Sequence, residues 1–403
     1  MRILYLTSRL PYPPNRGDRL RTYHLLRHLS QEHEITLVSF VNSREEAQLG
    51  RKLDEFCREI HLIVRPALRS LAAVIGNIWR PQPMQLLYYR SHMMRHLVDK
   101  VLAGEKYDVA YIHLFRMAPY VVNHPELYRI VDLTDVISSE ISASLPYRAW
   151  ASRVVYRQEQ LRIAEYERRV VGWADEAWLI SERDKLKLAE FRPQTNLHRI
   201  PNGVDLIRFF PADYKKPANT MLFVGHMGVF RNIDAVMYLV NEIMPRVRRE
   251  IPDIQLKIVG AGTSQQLRDL EKHAGVTVMG YVSDLNGQLN QSTVFVAPIR
   301  FSAGIQNKIL EAMAAGVAVV TTSNVNEGIS ALPGQEILVG DSTKDLADII
   351  VRVLSNEPFR LRLSLAGRAF VEKRFSWQTA VDRLRQIEEG IAKKDNMRHG
   401  TLP

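Results

Sequence analysis

The stretch from Ala297 to Gly316 gathers the residue types that phosphate chemistry uses: Arg300, Gly304, Lys308 and Glu311. Its pattern predicts a strand ending at Pro298, a loop carrying Arg300 and Gly304, and a helix starting near Ile305 or Gln306. A glycine lets the backbone turn tightly before the helix. The first helical amides, with unpaired N–H groups and the positive end of the dipole, can then face an anion. Lys308 and Glu311 are three residues apart and project from one face. A cation beside phosphate, and a carboxylate able to accept from two ribose hydroxyls, form a nucleotide-diphosphate arrangement. A surface ion pair on a well-capped helix would use the same two residues, so the spacing alone leaves both readings open.

Two more glycine-bearing strand ends point to the same edge, Gly225 with Gly228 and Gly260 with Gly262. Neither completes G-x-G-x-x-G, which argues against a dinucleotide oxidoreductase. In the first half, Pro14-Asn15-Arg16-Gly17-Asp18-Arg19-Leu20-Arg21 follows a strand and opens a helix, a second anion cradle with arginines around a glycine or a polar loop capped through Asp18. His113 falls at the carboxyl end of another strand. Asp132 and Asp135 follow the next one, in position to bind hydroxyls or to move a proton. The chain has no D-x-D, H-E-x-x-H or C-x-x-C pattern, no P-loop and no G-x-S-x-G elbow. No metal site is expected.

These residues need strands to carry them. Short apolar runs alternate with longer segments of helical period, the pattern of parallel sheets covered by helices. Strands are expected at Ile3–Thr7, Ile35–Phe40, Ile60–Val64, Val109–His113, Arg129–Leu133 and Glu176–Ser181. The pattern then restarts with Asn196–Ile200 and the turn Pro201-Asn202-Gly203, and continues through Thr220–Gly225, Gln255–Val259, Val276–Met279, Val294–Pro298, Val317–Thr322 and Ile337–Val339. Pro211 to Asn219 reads as a linker, and Lys393 to Pro403 as a frayed tail. Two successive α/β domains are the simplest arrangement.

Taken together, the chain resembles a family-4 retaining glycosyltransferase of GT-B architecture over nearly its whole length. The resemblance rests on Gly17, on His113, on Ile200-Pro201-Asn202-Gly203-Val204-Asp205, on Gly225 and Gly260, on Glu311-Ala312-Met313-Ala314-Ala315-Gly316, and on Phe375-Ser376-Trp377. Gly304-Ile305-Gln306-Asn307-Lys308 resembles a bacterial sublineage associated with exopolysaccharide and PEP-CTERM sorting clusters. The resemblance implies two Rossmann-like, doubly wound domains facing a central cleft: residues 1–195 for the acceptor and 196–375 for the nucleotide sugar. Residues 376–403 would form a helix and tail crossing back to the first domain. It also implies transfer of a sugar, with retention, from a nucleotide-diphosphate sugar to a glycan or lipid-linked acceptor in polysaccharide synthesis, without a cofactor.

By the same resemblance, Glu311 holds the ribose and Lys308 the pyrophosphate. Gly17, Gly225, Gly260, Arg300, Gly304 and Ile305 approach the donor, and His113 lines the sugar site. Asp18, Asp132 and Asp135 are assigned to the acceptor. Two departures stand out. The first carboxylate of the family's E-x7-E spacing falls on Ala303, and His226 and Asn232 replace its usual arginine and lysine, with the adjacent Arg231, or Arg300, as the substitute catalytic cation.

Composition narrows the alternatives. Of the 403 residues 46% are apolar and 24% charged, enough for ordinary cores and against wholesale disorder. Cys57 is the sole cysteine, which excludes an intrachain disulfide. Met1–Ser8 reads as a buried strand rather than a signal peptide, and the apolar runs fall short of the ~18 residues of a spanning helix. A cytoplasmic protein is expected. The net charge of +10 suggests an anionic partner. Between Ile63 and Lys100, six basic side chains face Asp99 alone. There Leu68, Leu71, Ala72, Ile75 and Trp79 recur at helical spacing: the stripe either packs on the first sheet or lies on the anionic inner face of the plasma membrane. Three other functions fit parts of the pattern: a nucleotide-sugar epimerase of the same fold, a degenerate transferase, and a non-catalytic polyanion binder. No nucleic-acid-binding signature is present.

Overall fold

The computed structural model describes the chain apart from residues 15–16, 78, 192–195, 213–218 and 400–403. Much of the predicted linker and two residues of the Gly17 loop, Asn15 and Arg16, therefore lie outside the described residues. The chain divides into two compact units. The first comprises Met1–Ser142, Trp150–Pro201 and the segment from Trp377 onward; the second comprises Ala143–Ala149 and Asn202–Ser376.

The first unit is built on β1 (Arg2–Thr7), β2 (Glu34–Val41), β3 (Glu59–Val64), β4 (Val109–His113), β5 (Tyr128–Thr134), β6 (Glu176–Leu179) and β7 (Leu197–Arg199). They form one parallel sheet in the order β3-β2-β1-β4-β5-β6-β7. Helical crossovers cover both faces of such a sheet, so its central strands read as unbroken apolar runs. β1 is buried at every position after Arg2, and β4 throughout. The strand order reverses between β1 and β4, which makes the crevice beyond their carboxyl ends the place for a ligand.

The second unit repeats the plan with β8 (Thr220–Val224), β9 (Gln255–Val259), β10 (Val276–Gly280), β11 (Val294–Ala297), β12 (Ala318–Thr321) and β13 (Leu338–Val339). Their order is β10-β9-β8-β11-β12-β13, again parallel, with the reversal between β8 and β11. The glycines that follow β8 flank this second switch point.

Four expectations need correction. The run 196–200 does not open the second domain: β7 pairs with β6, Ala177 opposite Leu197, and the boundary falls after Pro201. An apolar strand followed by a glycine turn looks the same at the end of one sheet as at the start of another. Ala143–Ala149 belongs to the second unit, where Tyr147 stacks on Phe301 with ring centroids 5.0 Å apart. The polar stretch from Lys393 continues the Gln378–His399 helix rather than fraying at once. The apolar stripe on the Ala67–Ile75 helix does not pack on the sheet, since Leu68 is 83% and Trp79 91% exposed, with Leu71 and Ile75 also outside.

The C-terminal helix does return to the first unit. Trp377, Ala380, Val381, Leu384 and Ile387 join Leu25, Leu26 and Leu29 in one buried cluster. Trp377 stacks on His24 at 4.9 Å, and Arg385 pairs with Glu32, Nε to Oε2 at 2.7 Å. Among the described residues no helix is long and apolar enough to cross a membrane.

Candidate nucleotide and acceptor sites

In the second unit the ends of β8 and β9 touch backbone to backbone. Gly225 N–H donates to Val259 O at 2.9 Å, and a Cβ on Gly260 would lie 1.7 Å from Gly225 O. Gly260 has φ +149°, so no other residue fits without moving the loop. A Cβ on Gly225 would in turn meet the Asn232 side chain at 2.8 Å. The two glycines thus leave room for Asn232, at the start of the Phe230–Tyr238 helix, to face the carboxyl edge.

Asn232 is buried and bridges: its Nδ2 donates to His226 O at 2.9 Å, and its Oδ1 accepts from Lys308 Nζ at 2.6 Å. Where Asn232 looked in the sequence like a lost cation, it is the residue that aims one. Lys308 lies in the first turn of the Asn307–Ala314 helix, which starts at Asn307, a little later than the sequence suggested. Gln306 is its N-cap, and Asn307 Oδ1 accepts from Asn202 Nδ2 at 2.9 Å. The Pro201-Asn202-Gly203 turn is thereby tied to this helix.

Lys308 and Glu311 are both half-buried. Burial, with Arg231 pushing in the same direction, brings the Lys308 ammonium down to about 7 against the opposing pull of Glu311. Burial pushes the Glu311 carboxyl up to about 7, despite Arg208 and Lys308. The Glu311 carboxylate makes no hydrogen bond among the described residues. Arg208 owes its position to the Val204-Asp205 motif: Asp205 Oδ1 accepts from the N–H groups of Ile207 at 3.1 Å and Arg208 at 3.0 Å.

The loop before this helix has a different role from the one expected of Arg300. Its guanidinium is engaged bidentately by Asp234, at 3.0 and 2.5 Å, and lies between the rings of Tyr147 and Tyr238. Arg300 clasps the loop to the Phe230–Tyr238 helix instead of facing a phosphate. Gly304 has φ +57° and its carbonyl oxygen would be 2.1 Å from a Cβ on Gly328, so a second glycine admits the loop. Ala303 and Ile305 are buried.

In the first unit, Gly17 starts the Gly17–Leu29 helix and Asp18 stands in its first turn. Asp18 accepts from Arg9 Nη1 at 2.7 Å. Burial would raise its carboxyl, but Arg9, His113 and Arg116 hold it below the usual range. His113 is buried, 3.4 Å from Thr134 Oγ1. Burial drives its imidazole down to about 4, against Asp132 and Asp18, so it is a neutral hydrogen-bonding group at pH 7. Both strand ends beside it are strained: Leu114 and Thr134 have φ 69° and 65°.

Asp132 is not placed to touch an acceptor. It is fully buried and accepts from Arg21 Nε at 2.6 Å, from the Tyr111 hydroxyl and from Thr134 N–H at 2.9 Å. Arg21 also donates to Ile200 O at 3.0 Å. This is a buried pair that locks the first helix to β5. Asp135, three residues on, is half-buried at the strand's carboxyl end. Arg21, expected to belong to the anion cradle around Gly17, is instead turned inward onto Asp132. Arg208 and Gly328 carry no signal in the sequence beyond their spacing to Asp205 and Gly304, and Asn232 shows there as a departure, not as the partner of Lys308.

With this geometry in view, the likeness to known proteins can be stated. Residues 218–356 match the family described as Glycosyl transferases group 1, which covers the nucleotide-site loops and the Asn307–Ala314 helix. A phosphatidyl-myo-inositol mannosyltransferase of Mycobacterium tuberculosis is 32% identical over 208 residues, 48% of this chain and 54% of that protein. The alignment therefore spans about half the length of that relative. Sucrose-phosphate synthase from Thermosynechococcus elongatus superposes with a TM-score of 0.71 at 15% identity, covering 98% of this chain and 99% of that one. An Anabaena protein solved in complex with UDP superposes with a TM-score of 0.67 at 13% identity, covering 97% and 100%. The fold is GT-B, and the second unit is related in sequence to group 1 glycosyltransferases.

Proposed function

We propose that the chain is a glycosyltransferase that moves a sugar, with retention of configuration, from a nucleotide-diphosphate sugar to a glycan or lipid-linked acceptor in polysaccharide synthesis. The observation that supports this reading is the half-buried Glu311 carboxylate, without a hydrogen-bond partner among the described residues, in the field of Lys308 and Arg208, with Arg231 acting on Lys308 in turn. A carboxylate so placed suits two ribose hydroxyls, and the cations suit a diphosphate. The mannosyltransferase relative and the UDP complex of the Anabaena protein support the donor class.

On this reading the chemistry needs charge stabilisation of a departing diphosphate more than a strong base. An incoming diphosphate favours the protonated form of Lys308, and Arg231 adds a second charge. Gly225 and Gly260 let backbone approach the donor. In the first unit neutral His113 offers a hydrogen bond to a sugar hydroxyl, and Asp18 and Asp135 are assigned to the acceptor. The acceptor hydroxyl attacks the anomeric carbon as the bond to the diphosphate breaks, and its proton passes to a leaving phosphate oxygen on the same face. The chain's own cations meet the phosphate charge, without a metal.

Peripheral membrane contact is part of the proposal. The exposed stripe of Leu68, Leu71, Ile75 and Trp79, with Arg80, Arg90 and Lys100 exposed nearby, fits an anionic bilayer surface. The test of function is incubation with UDP-, GDP- and ADP-sugars of α configuration and a membrane lipid extract, followed by NMR of the product's anomeric proton. An α-linked product is expected. A β-linked product contradicts retention, and turnover of the donor to an isomeric nucleotide sugar without acceptor replaces the transferase with an epimerase.

A further inference from the structure

Arg65 is one of the six basic residues between Ile63 and Lys100, yet it is only 8% exposed. It follows β3 directly and lies over the rings of Tyr88 and Tyr89, at 4.2 and 4.7 Å. Its Nη1 donates to Ser70 Oγ at 3.2 Å and its Nη2 to Asn42 Oδ1 at 3.0 Å, while its Nε is buried without a partner. Arg116, just beyond β4, is 9% exposed and covers the same Tyr89 ring at 4.8 Å. It donates to Ser8 Oγ at 3.0 Å and Gln85 Oε1 at 2.6 Å. Every one of these acceptors is neutral. Among the described residues neither guanidinium has a carboxylate partner.

Two buried arginines side by side, neither hydrogen-bonded to a carboxylate among the described residues, are among the costliest arrangements a fold can hold, since buried charges are ordinarily paired. A third arginine, Arg9, stands at the rim and is matched by Asp18. Arg9, Arg65 and Arg116 against Asp18 leave two positive charges, the complement of a phosphate monoester near neutral pH. The phenol of Tyr89 reports the same field: burial would raise it, yet Arg116, Arg9 and Arg65 together hold it below its ordinary value. All three arginines follow carboxyl ends of strands in the first sheet, and Asp18 acts on Arg9, His113 and Arg116 alike.

We propose that Arg65 and Arg116, with Arg9 at the rim, bind a phosphate group carried by the acceptor. The word acceptor rests on the transferase reading; the anion site itself does not. A planar guanidinium fork, held by stacking and by neutral hydrogen bonds, keeps its charge for a bidentate oxyanion. The acceptor would then be a phosphorylated compound whose phosphate is seated on the same edge as His113, ahead of the hydroxyl that is glycosylated.

The test uses the full chain carrying Lys308→Met and Arg231→Gln, so that both cations assigned to the donor diphosphate are gone from the second unit. Thermal melting is followed with inorganic phosphate against chloride at equal ionic strength. Phosphate is expected to raise the melting temperature, with about tenfold or greater weakening of its apparent affinity in Arg65→Gln/Arg116→Gln. That variant is expected to melt at or above the unliganded parent, because a buried unpaired charge has been removed. Arg65→Lys/Arg116→Lys, which keeps the charges and loses the forks, should fall between them. Flotation on phosphatidylcholine vesicles with and without phosphatidic acid identifies the source. Binding that needs phosphatidic acid and both arginines assigns the phosphate to a lipid; a phosphate response without such binding assigns it to a soluble ester. No phosphate effect beyond chloride, or an undiminished effect in the double glutamine variant, overturns the site. Nucleotide stabilisation of the chain with Lys308 and Arg231 intact, measured alongside, tests the donor reading separately: its loss with the phosphate effect retained removes the transferase and leaves the anion site.

Discussion

On the proposed donor reading, Lys308 and Glu311, the one lowered and the other raised to about 7 by burial, pull nucleotide binding in opposite directions. Lys308 serves a diphosphate when protonated, so affinity falls as pH rises above about 7. Glu311 serves ribose hydroxyls when ionised, so affinity falls as pH drops below about 7. We expect the affinity for the preferred nucleoside diphosphate to peak near pH 7 and to decline by up to about tenfold per pH unit on either side. Calorimetric titration from pH 5.5 to 8.5 measures this. Glu311→Gln should abolish the acid limb and keep the alkaline one; a flat profile would show that neither group meets the ligand. Asp132 belongs to a different class. It holds Arg21 in a fully buried pair, and its replacement by alanine leaves that guanidinium uncompensated, at a cost of about 3–5 kcal/mol. Denaturant unfolding should record that loss for Asp132→Ala, and a loss below 1 kcal/mol would show that the pair is dispensable to the fold.

At the level of elements, the β8 and β9 ends act as one unit with the Phe230–Tyr238 helix. Gly225→Ala places a methyl against Asn232, the residue that aims Lys308. The side chain can swing away, so we expect weakened nucleotide affinity, about tenfold, with a small change in melting temperature. Gly260→Ala meets backbone at 1.7 Å, which cannot swing away, and should lower stability and binding together. Equal effects in both variants, read by melting curves and titration, would contradict this division.

The same elements show what the sequence could and could not disclose. The strands of both sheets announce themselves as apolar runs, because a parallel sheet is buried on both faces, and the glycine loops and the Lys308 helix lie where that pattern puts them. Partnership is what the pattern omits. Arg300 reads as a free cation until Asp234 closes on it, and Asn232 reads as a missing lysine until it is seen holding one. Asp132 and Asp135 look alike in the chain, yet Arg21, far away in sequence, decides that only one of them is internal. The boundary near residue 196 was misjudged for the same reason, since strand pairing, not composition, assigns β7 to the first sheet.

At the scale of the whole molecule, the Gln378–His399 helix packs on the first unit although the second unit intervenes in sequence, so the first core depends on a distant segment. Trp377 is buried against His24, and Trp377→Ala should cost the first unit about 3–5 kcal/mol while leaving nucleotide binding by the second intact. Calorimetry with and without nucleotide would reveal one displaced transition; equal loss in both units would contradict their separate cores. The central claim concerns the second unit, and the most direct measurement of it is thermal melting of wild type and Glu311→Ala with UDP, GDP and ADP, each with and without magnesium. A nucleotide at ~100 times its dissociation constant stabilises by ~2.7 kcal/mol. We expect one of the three to give that shift, without magnesium, in wild type and not in Glu311→Ala. No shift with any of them, or an equal shift in the variant, would contradict a nucleotide site at Lys308 and Glu311.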